Sequence, residues 1–154
     1  MPLIWRLSGE SVSCRLDGEE SSGGGRWNSP GRQVIYCSSS LALAAFECFV
    51  HFDANTRRNP PKMKAVLIRY PDDAAVRQVP RHELPADLAC SEADAACRAI
   101  GDSWADENAA LALIAPSVVI EHESNVMLNV RHPRMAEVWV EDVREFRWDD
   151  RLRG

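Results

Sequence analysis

Residues 41–50 read Leu-Ala-Leu-Ala-Ala-Phe-Glu-Cys-Phe-Val and follow three serines, Ser38, Ser39 and Ser40. Serines ahead of an apolar run supply N-cap acceptors for a helix. A helix that is apolar at nearly every position must be covered on most of its sides. The neighbouring segments supply strands to cover it. Leu3–Leu7 alternates apolar and polar residues and holds Trp5 and Arg6. Val34–Cys37 is a second short strand, and Met63–Tyr70 has a β-branched centre and stops at Pro71-Asp72-Asp73. A break at Asn59-Pro60-Pro61 separates the helix from that third strand.

Further along, Ser91–Glu107 reads as a helix capped by Ser91 in Ser-Glu-Ala-Asp, with Gly101 weakening its interior. Ala110–Ala115 and Ser117–Ile120 form one apolar segment split by Pro116. Val126–Val130 alternates, Met135–Val143 is strand-like, and Phe146–Leu152 closes the chain. Strands and helices mix without regular strand–helix alternation, which favours α+β over a doubly wound sheet. The expectation is a single compact domain over 1–154, a mixed β-sheet core with flanking helices. Residues 8–33 are expected to form a long loop, polar and Ser/Gly-rich from Glu10 to Gly31, with Gly23-Gly24-Gly25 at its centre.

The charge balance narrows the partners. Lys and Arg number 18 against 23 Asp and Glu, a net charge of −5, so there is no cation surplus for nucleic acid. The longest apolar run, Ala109–Ile120, is broken by Pro116-Ser117 and is shorter than the roughly 20 residues a membrane helix needs. Met1-Pro-Leu-Ile-Trp-Arg lacks the basic and apolar regions of a signal peptide. Cysteines at 14, 37, 48, 90 and 97 are odd in number and form no Cys-x-x-Cys pair. They are expected to be small buried residues in a reducing cytoplasm.

Glu47 is the anomaly in its apolar segment. A carboxylate there must be paired, hydrogen-bonded, protonated, or turned to water at the helix edge. Arg26 follows three glycines; it is either a fork for phosphate oxygens or an exposed side chain on a mobile loop, and Trp27 beside it can anchor that loop. Tyr36 ends a strand eleven positions before Glu47, so both side chains can face one cleft, unless Tyr36 is an ordinary core tyrosine with its hydroxyl satisfied. Ser117 follows Pro116 without a Gly-x-Ser-x-Gly elbow, which gives a serine hydrolase little support. His51-Phe-Asp53 and Glu121-His122-Glu123 could each offer a ligand, but neither they nor His82 and His132 have zinc-site spacing, and no metal is expected.

Taken in order, Gly25-Arg-Trp-Asn-Ser-Pro-Gly31, Val34-Ile-Tyr36, Leu41-Ala-Leu-Ala-Ala-Phe-Glu47, Gly101-Asp-Ser-Trp104, Ala115-Pro-Ser-Val-Val119, Asn125-Val-Met-Leu-Asn129, Arg131-His-Pro133 and Phe146-Arg-Trp-Asp-Asp-Arg-Leu152 resemble the RES-domain family over nearly the whole chain. The resemblance assigns the family's arginine, glutamate and serine to Arg26, Glu47 and Ser117, the serine being chosen over Ser124 for its Pro-Ser-Val-Val context. Tyr36 becomes a further catalytic-pocket residue and Arg6 a second arginine. Asn129 and His132 fall in the family's Asn-x-x-His-Pro stretch, with Val130 where proline is more usual.

The resemblance implies an ADP-ribosyltransferase-like fold and a bacterial, cytoplasmic toxin of a toxin–antitoxin pair. NAD+ is its substrate rather than a cofactor, with Arg6, Arg26, Tyr36, Ser117 and Asn129 binding it. It implies an antitoxin with an Xre-like DNA-binding domain that covers the active site. The expected reaction is cleavage of the nicotinamide–ribose bond by hydrolysis or phosphorolysis. Alternatives are ADP-ribosyl transfer to a protein, a non-catalytic NAD-binding module in which Arg26 and Glu47 form a structural ion pair, and a nucleic-acid-cleaving toxin, which the acidic balance disfavours.

Overall fold

Alternation places the strands. In the computed structural model, which describes residues 2–11 and 15–154, the first strand β1 spans Leu3–Gly9, with Ile4, Arg6 and Ser8 turned inward. The second, β2, spans Val34–Ser38 and leads through Ser40 into α1, Leu41–Phe49. The Ser40 hydroxyl caps α1 by accepting from the Leu43 N–H. Helix α2, Ala54–Arg58, is capped by Asp53 and precedes β3, Met63–Arg69. The three-residue β4, Val76–Gln78, comes next. Helix α3 runs Ser91–Glu107 and ends on Asn108 in the left-handed region. Strands β5, Ala112–Pro116, β6, Ser124–Asn129, and β7, Trp139–Phe146, complete the chain.

The seven strands form one sheet in the order β4-β5-β6-β2-β1-β3-β7, antiparallel everywhere except the β4–β5 pair. Successive β-residues point to opposite faces, and the core divides accordingly. On one face Ile35, Val66, Ile68, Val126 and Leu128 pack together. On the other, Val34, Leu113, Ala115 and Met127 receive Ala93, Cys97 and Trp104 of α3 together with Trp27. The fold is α+β, as the mixed pattern implies.

The sheet is weakest where β1 meets β2. β1 pairs with β3 over seven residues, but with β2 only at Trp5↔Ser38. Past that pair the strands diverge, and the gap opens beside Arg6 and Tyr36.

Several sequence expectations are corrected. α1 is not covered on most sides: only Leu43 and Ala44 are buried, against β1 and β2, while Phe46 and Val50 are about half exposed. The sheet lies on one side of α1 only. The 8–33 segment is not a free loop, because β1 takes Ser8 and Gly9, Glu19–Ser21 forms a 3-10 turn, and Ser21, Trp27 and Asn28 are buried. Cys90, not Ser91, occupies the N-cap of α3. Met135–Val143 is not one strand, since Pro133–Glu137 is a 3-10 turn and β7 starts at Trp139. Of the cysteines, Cys37 and Cys97 are buried and Cys48 and Cys90 partly so; Cys14 lies outside the described residues.

Candidate active site

α1 and α3 flank a cavity of about 700 Å³, lined from below by Trp5–Leu7 of β1 and Tyr36–Ser38 of β2. Gly25, Arg26 and Trp27 close one side; Pro116, Val118, Val119 and Asn125 close another. The volume is of the size that takes a small organic ligand.

Glu47 sits in its wall and is held from two sides. The Ser117 hydroxyl donates to Oε1 at 2.7 Å, and Asn125 Nδ2 donates to the same oxygen at 2.6 Å. The direction of the serine bond is fixed. Ser117 Oγ already accepts from the Val119 and Ile120 N–H groups, both at 3.0 Å, so its single proton has one destination left. Asn125 is oriented in turn by Ser38, whose hydroxyl donates to Oδ1 at 2.8 Å across the β2–β6 pair. The result is a carboxylate anchored through Oε1, with no hydrogen bond to Oε2 among the described residues. Ser117 is fully buried and does not itself line the cavity; its reach to the ligand is through Glu47. Ser124 lies on β6 opposite Pro116, and Glu47 takes its hydroxyl bond from Ser117.

Arg26 enters from the opposite wall. Its Nη1 donates to Asp94 Oδ1 at 2.8 Å and to the Leu88 carbonyl at 3.3 Å, and its side chain stays one-third exposed. Arg26 and Glu47 therefore do not pair with each other, which removes the structural ion pair as an account of these two residues. The loop carrying Arg26 is pinned by its neighbours. Trp27 is buried, Asn28 Nδ2 donates to the Ser21 and Arg32 carbonyls, and Ser29 donates twice to Asp102.

Tyr36 belongs to the same clamp. Its hydroxyl accepts from the Trp27 N–H at 3.1 Å and donates to Asn28 Oδ1. The phenol proton is thus spent within the protein, and the ring is what the cavity meets. Gly25 is required here, since a Cβ on it would stand 2.6 Å from the Tyr36 hydroxyl. Arg6 lines the cavity but is largely buried, donating to the Arg15 carbonyl at 2.7 Å and pairing with Glu20.

Asn129 is a correction. It stands at the far end of β6, buried, with Nδ2 donating to the Ala105 carbonyl and Asn108 Oδ1, and it does not line the cavity. His132 likewise serves the backbone, its Nδ1 accepting from the Arg134 N–H. The asparagine of the site is Asn125. Sequence reasoning also misses Ser38, Asp94 and Arg98. Only the last two carry a signal, a four-residue spacing on one helix face. Among the described residues no group of three or more His, Cys, Asp or Glu is placed to hold a metal, and no helix is long and apolar enough to cross a membrane.

Burial pushes the Tyr36 hydroxyl up from 10.0 to about 12, partly offset by the Trp27 N–H, and pushes the Cys37 thiol up from 9.0 to about 12. Both are acids whose neutral form the folded protein favours. Their contribution is complete below about pH 9 and is lost as pH rises toward about 12, where the folded groups ionise. Denaturant midpoints should hold at about pH 8 and fall steadily above about pH 9, with tyrosinate absorbance rising only as the protein unfolds. Equal midpoints at pH values near 8 and 11 would contradict the burial of these two groups.

An α+β sheet that splays beside a helix-borne carboxylate, with three arginines lining the same cavity, defines the class of fold and site. The chain belongs to the RES domain family, which it matches over residues 3–149. It is similar to Toxin Res of Pseudomonas putida, with 32% identity over 97% of this chain and 99% of that protein. It is similar to the Prs ADP-ribosylating toxin of Sphingobium sp., with 29% identity over 97% of this chain and 95% of that one. A chain in the crystal structure of the M. tuberculosis MbcT–MbcA toxin–antitoxin complex shares the fold, with a TM-score of 0.71 at 16% identity over 94% of this chain and 83% of that one.

Proposed function

We propose that this chain is the toxin of a bacterial toxin–antitoxin pair and that it consumes NAD+ by breaking the nicotinamide–ribose bond. The observation that carries the proposal is the one-sided anchoring of Glu47, with Oε1 tied to Ser117 and Asn125 and Oε2 unbonded in a cleft that also presents Arg26 and Tyr36. As nicotinamide departs with the bonding electron pair, positive charge grows on the ribose. A fixed carboxylate stabilises that charge, and Oε2 can accept from a ribose hydroxyl to hold the sugar still. Arg26, joined by Arg6 at the cleft floor, meets the pyrophosphate. The Tyr36 ring packs on the nicotinamide end. Water then adds to the ribose carbon and loses a proton, giving ADP-ribose; inorganic phosphate in its place gives the 1″-phosphate.

The relatives' names support this class of reaction. Both are toxins, and one of the two is named an ADP-ribosylating toxin. That name also favours a second reading, in which a protein side chain replaces water as acceptor. An antitoxin that covers the cleft is the partner we assign, and the exposed apolar Val50 on the cleft wall suits such a cover.

The test is to incubate the pure protein with labelled NAD+ and resolve the products by mass, with and without phosphate. Nicotinamide release in step with ADP-ribose or its phosphate is the expected result, whereas label on a protein band selects transfer. NAD+ that stays intact under all these conditions would end the proposal.

A further inference from the structure

Three arginines line the cleft, Arg6, Arg26 and Arg98, in a chain whose net charge is −5. Two of them are already engaged. Arg6 is buried against Glu20 and the Arg15 carbonyl, and Arg26 is held by Asp94 and the Leu88 carbonyl. Arg98 differs. It lies one helical turn beyond Asp94 on α3, a spacing at which the two would ordinarily pair. Asp94 instead turns to Arg26, and Arg98 makes no hydrogen bond or ion pair with any described residue. The other acid one turn away, Asp102, is likewise taken, accepting from the Ser29 N–H and hydroxyl and lying 3.5 Å from Arg32, so neither helical neighbour of Arg98 holds its side chain.

An exposed guanidinium at the mouth of a cleft, with its helical partner taken, is a fork waiting for an anion. The two inner arginines can each take one phosphate oxygen set only by keeping or trading a carboxylate, whereas Arg98 carries its whole charge to the ligand. We propose that Arg98 is a specificity-determining residue that closes on the pyrophosphate of a bound dinucleotide and makes the cleft favour it over a nucleotide with a single phosphate. The inference rests on the NAD+-consuming function proposed above and names the residue that recognises the phosphate bridge.

Equilibrium binding tests it without turnover. ADP-ribose, nicotinamide mononucleotide and nicotinamide riboside, carrying two phosphates, one and none, are titrated into the wild-type protein, Arg98→Ala and Arg98→Lys. Arg98→Ala should weaken ADP-ribose about tenfold and the mononucleotide less, leaving the riboside within about twofold. Arg98→Lys should recover part of the loss, with the salt dependence of an ionic contact. Equal weakening of all three ligands, ADP-ribose affinity unchanged in Arg98→Ala, or no ADP-ribose binding to the wild type would each overturn the assignment. The two failures are separable. Arg98-dependent ADP-ribose binding by a protein that leaves NAD+ intact would retire the reaction and keep the residue, and NAD+ turnover with unaltered ADP-ribose binding in Arg98→Ala would do the opposite.

Discussion

Glu47→Gln should cut nicotinamide release from NAD+ by about 10²–10³-fold, the range lost when one preorganised electrostatic group is removed from a transition state. The substitution is nearly isosteric. A glutamine Oε1 still accepts from Ser117 and Asn125, so the bonds that hold the side chain survive, and only the charge on the other atom is lost. Thermal stability should therefore stay within a degree or two of wild type, and ADP-ribose should weaken only a few-fold, because the ground state loses one ribose hydrogen bond to Oε2 while the larger loss falls on charge that develops as the bond breaks. Ser117→Ala perturbs the same carboxylate by a costlier route, since it also strands the Val119 and Ile120 N–H groups that now donate to Oγ. Stopped-time assays of both variants, alongside melting curves, separate chemistry from folding. A Glu47→Gln enzyme that retains more than about a tenth of wild-type turnover would remove Glu47 from the reaction.

The elements legible in the sequence are those whose signal is local. Alternation marks β1, a β-branched centre with a Pro-Asp-Asp stop marks β3, the serine run marks the start of α1, and the Ser-Glu-Ala-Asp sequence marks α3 with its observed limits. What escapes depends on distant partners. β4 is three residues long and exists because it lies parallel to β5, and α2 follows a single Asp53 cap in a segment dominated by the Pro60-Pro61 break. α1 reads as covered on most sides because an apolar sequence cannot say how many sides a sheet will cover.

The site divides in the same way. Glu47, Arg26, Tyr36 and Ser117 stand out as types in context, and the cavity or its immediate support gathers all four. Asn125 and Asn129 cannot be told apart by pattern. They share a strand face but lie at opposite ends of β6, about 13 Å apart at the usual strand rise. Contacts 78 and 87 residues away, to Glu47 and Ser38, select the first. Arg26 and Glu47 suggest a mutual ion pair in isolation, yet each finds a closer partner on another element, Asp94 for one and Ser117 with Asn125 for the other.

Gly101→Ala offers a test of the scaffold in which the sign alone decides. In a helix interior glycine costs roughly 1 kcal/mol relative to alanine, so helix propensity predicts that the variant gains stability. The structure predicts the opposite. A Cβ at position 101 would stand 1.6 Å from the Trp27 carbonyl oxygen and 2.6 Å from its carbon, both backbone atoms that cannot rotate away. α3 and the Gly25–Ser29 segment touch at this glycine, and that contact buries Trp27 against Trp104 and Cys97. The added methyl must push them apart, opening packing on one side and displacing Arg26 on the other. Overpacking costs about 1–3 kcal/mol in typical cases, and a 1.6 Å approach to backbone sits at the top of that range, which exceeds the propensity gain. The expected result is a melting temperature lower by roughly 5–12 °C, with ADP-ribose affinity reduced because Arg26 adjoins the displaced residue. Gly101→Ser should fall at least as far, as its Cβ meets the same carbonyl. A Gly101→Ala protein that melts at or above the wild-type temperature would mean that α3 and the arginine loop are not in the contact described, and the cleft walls would have to be drawn again.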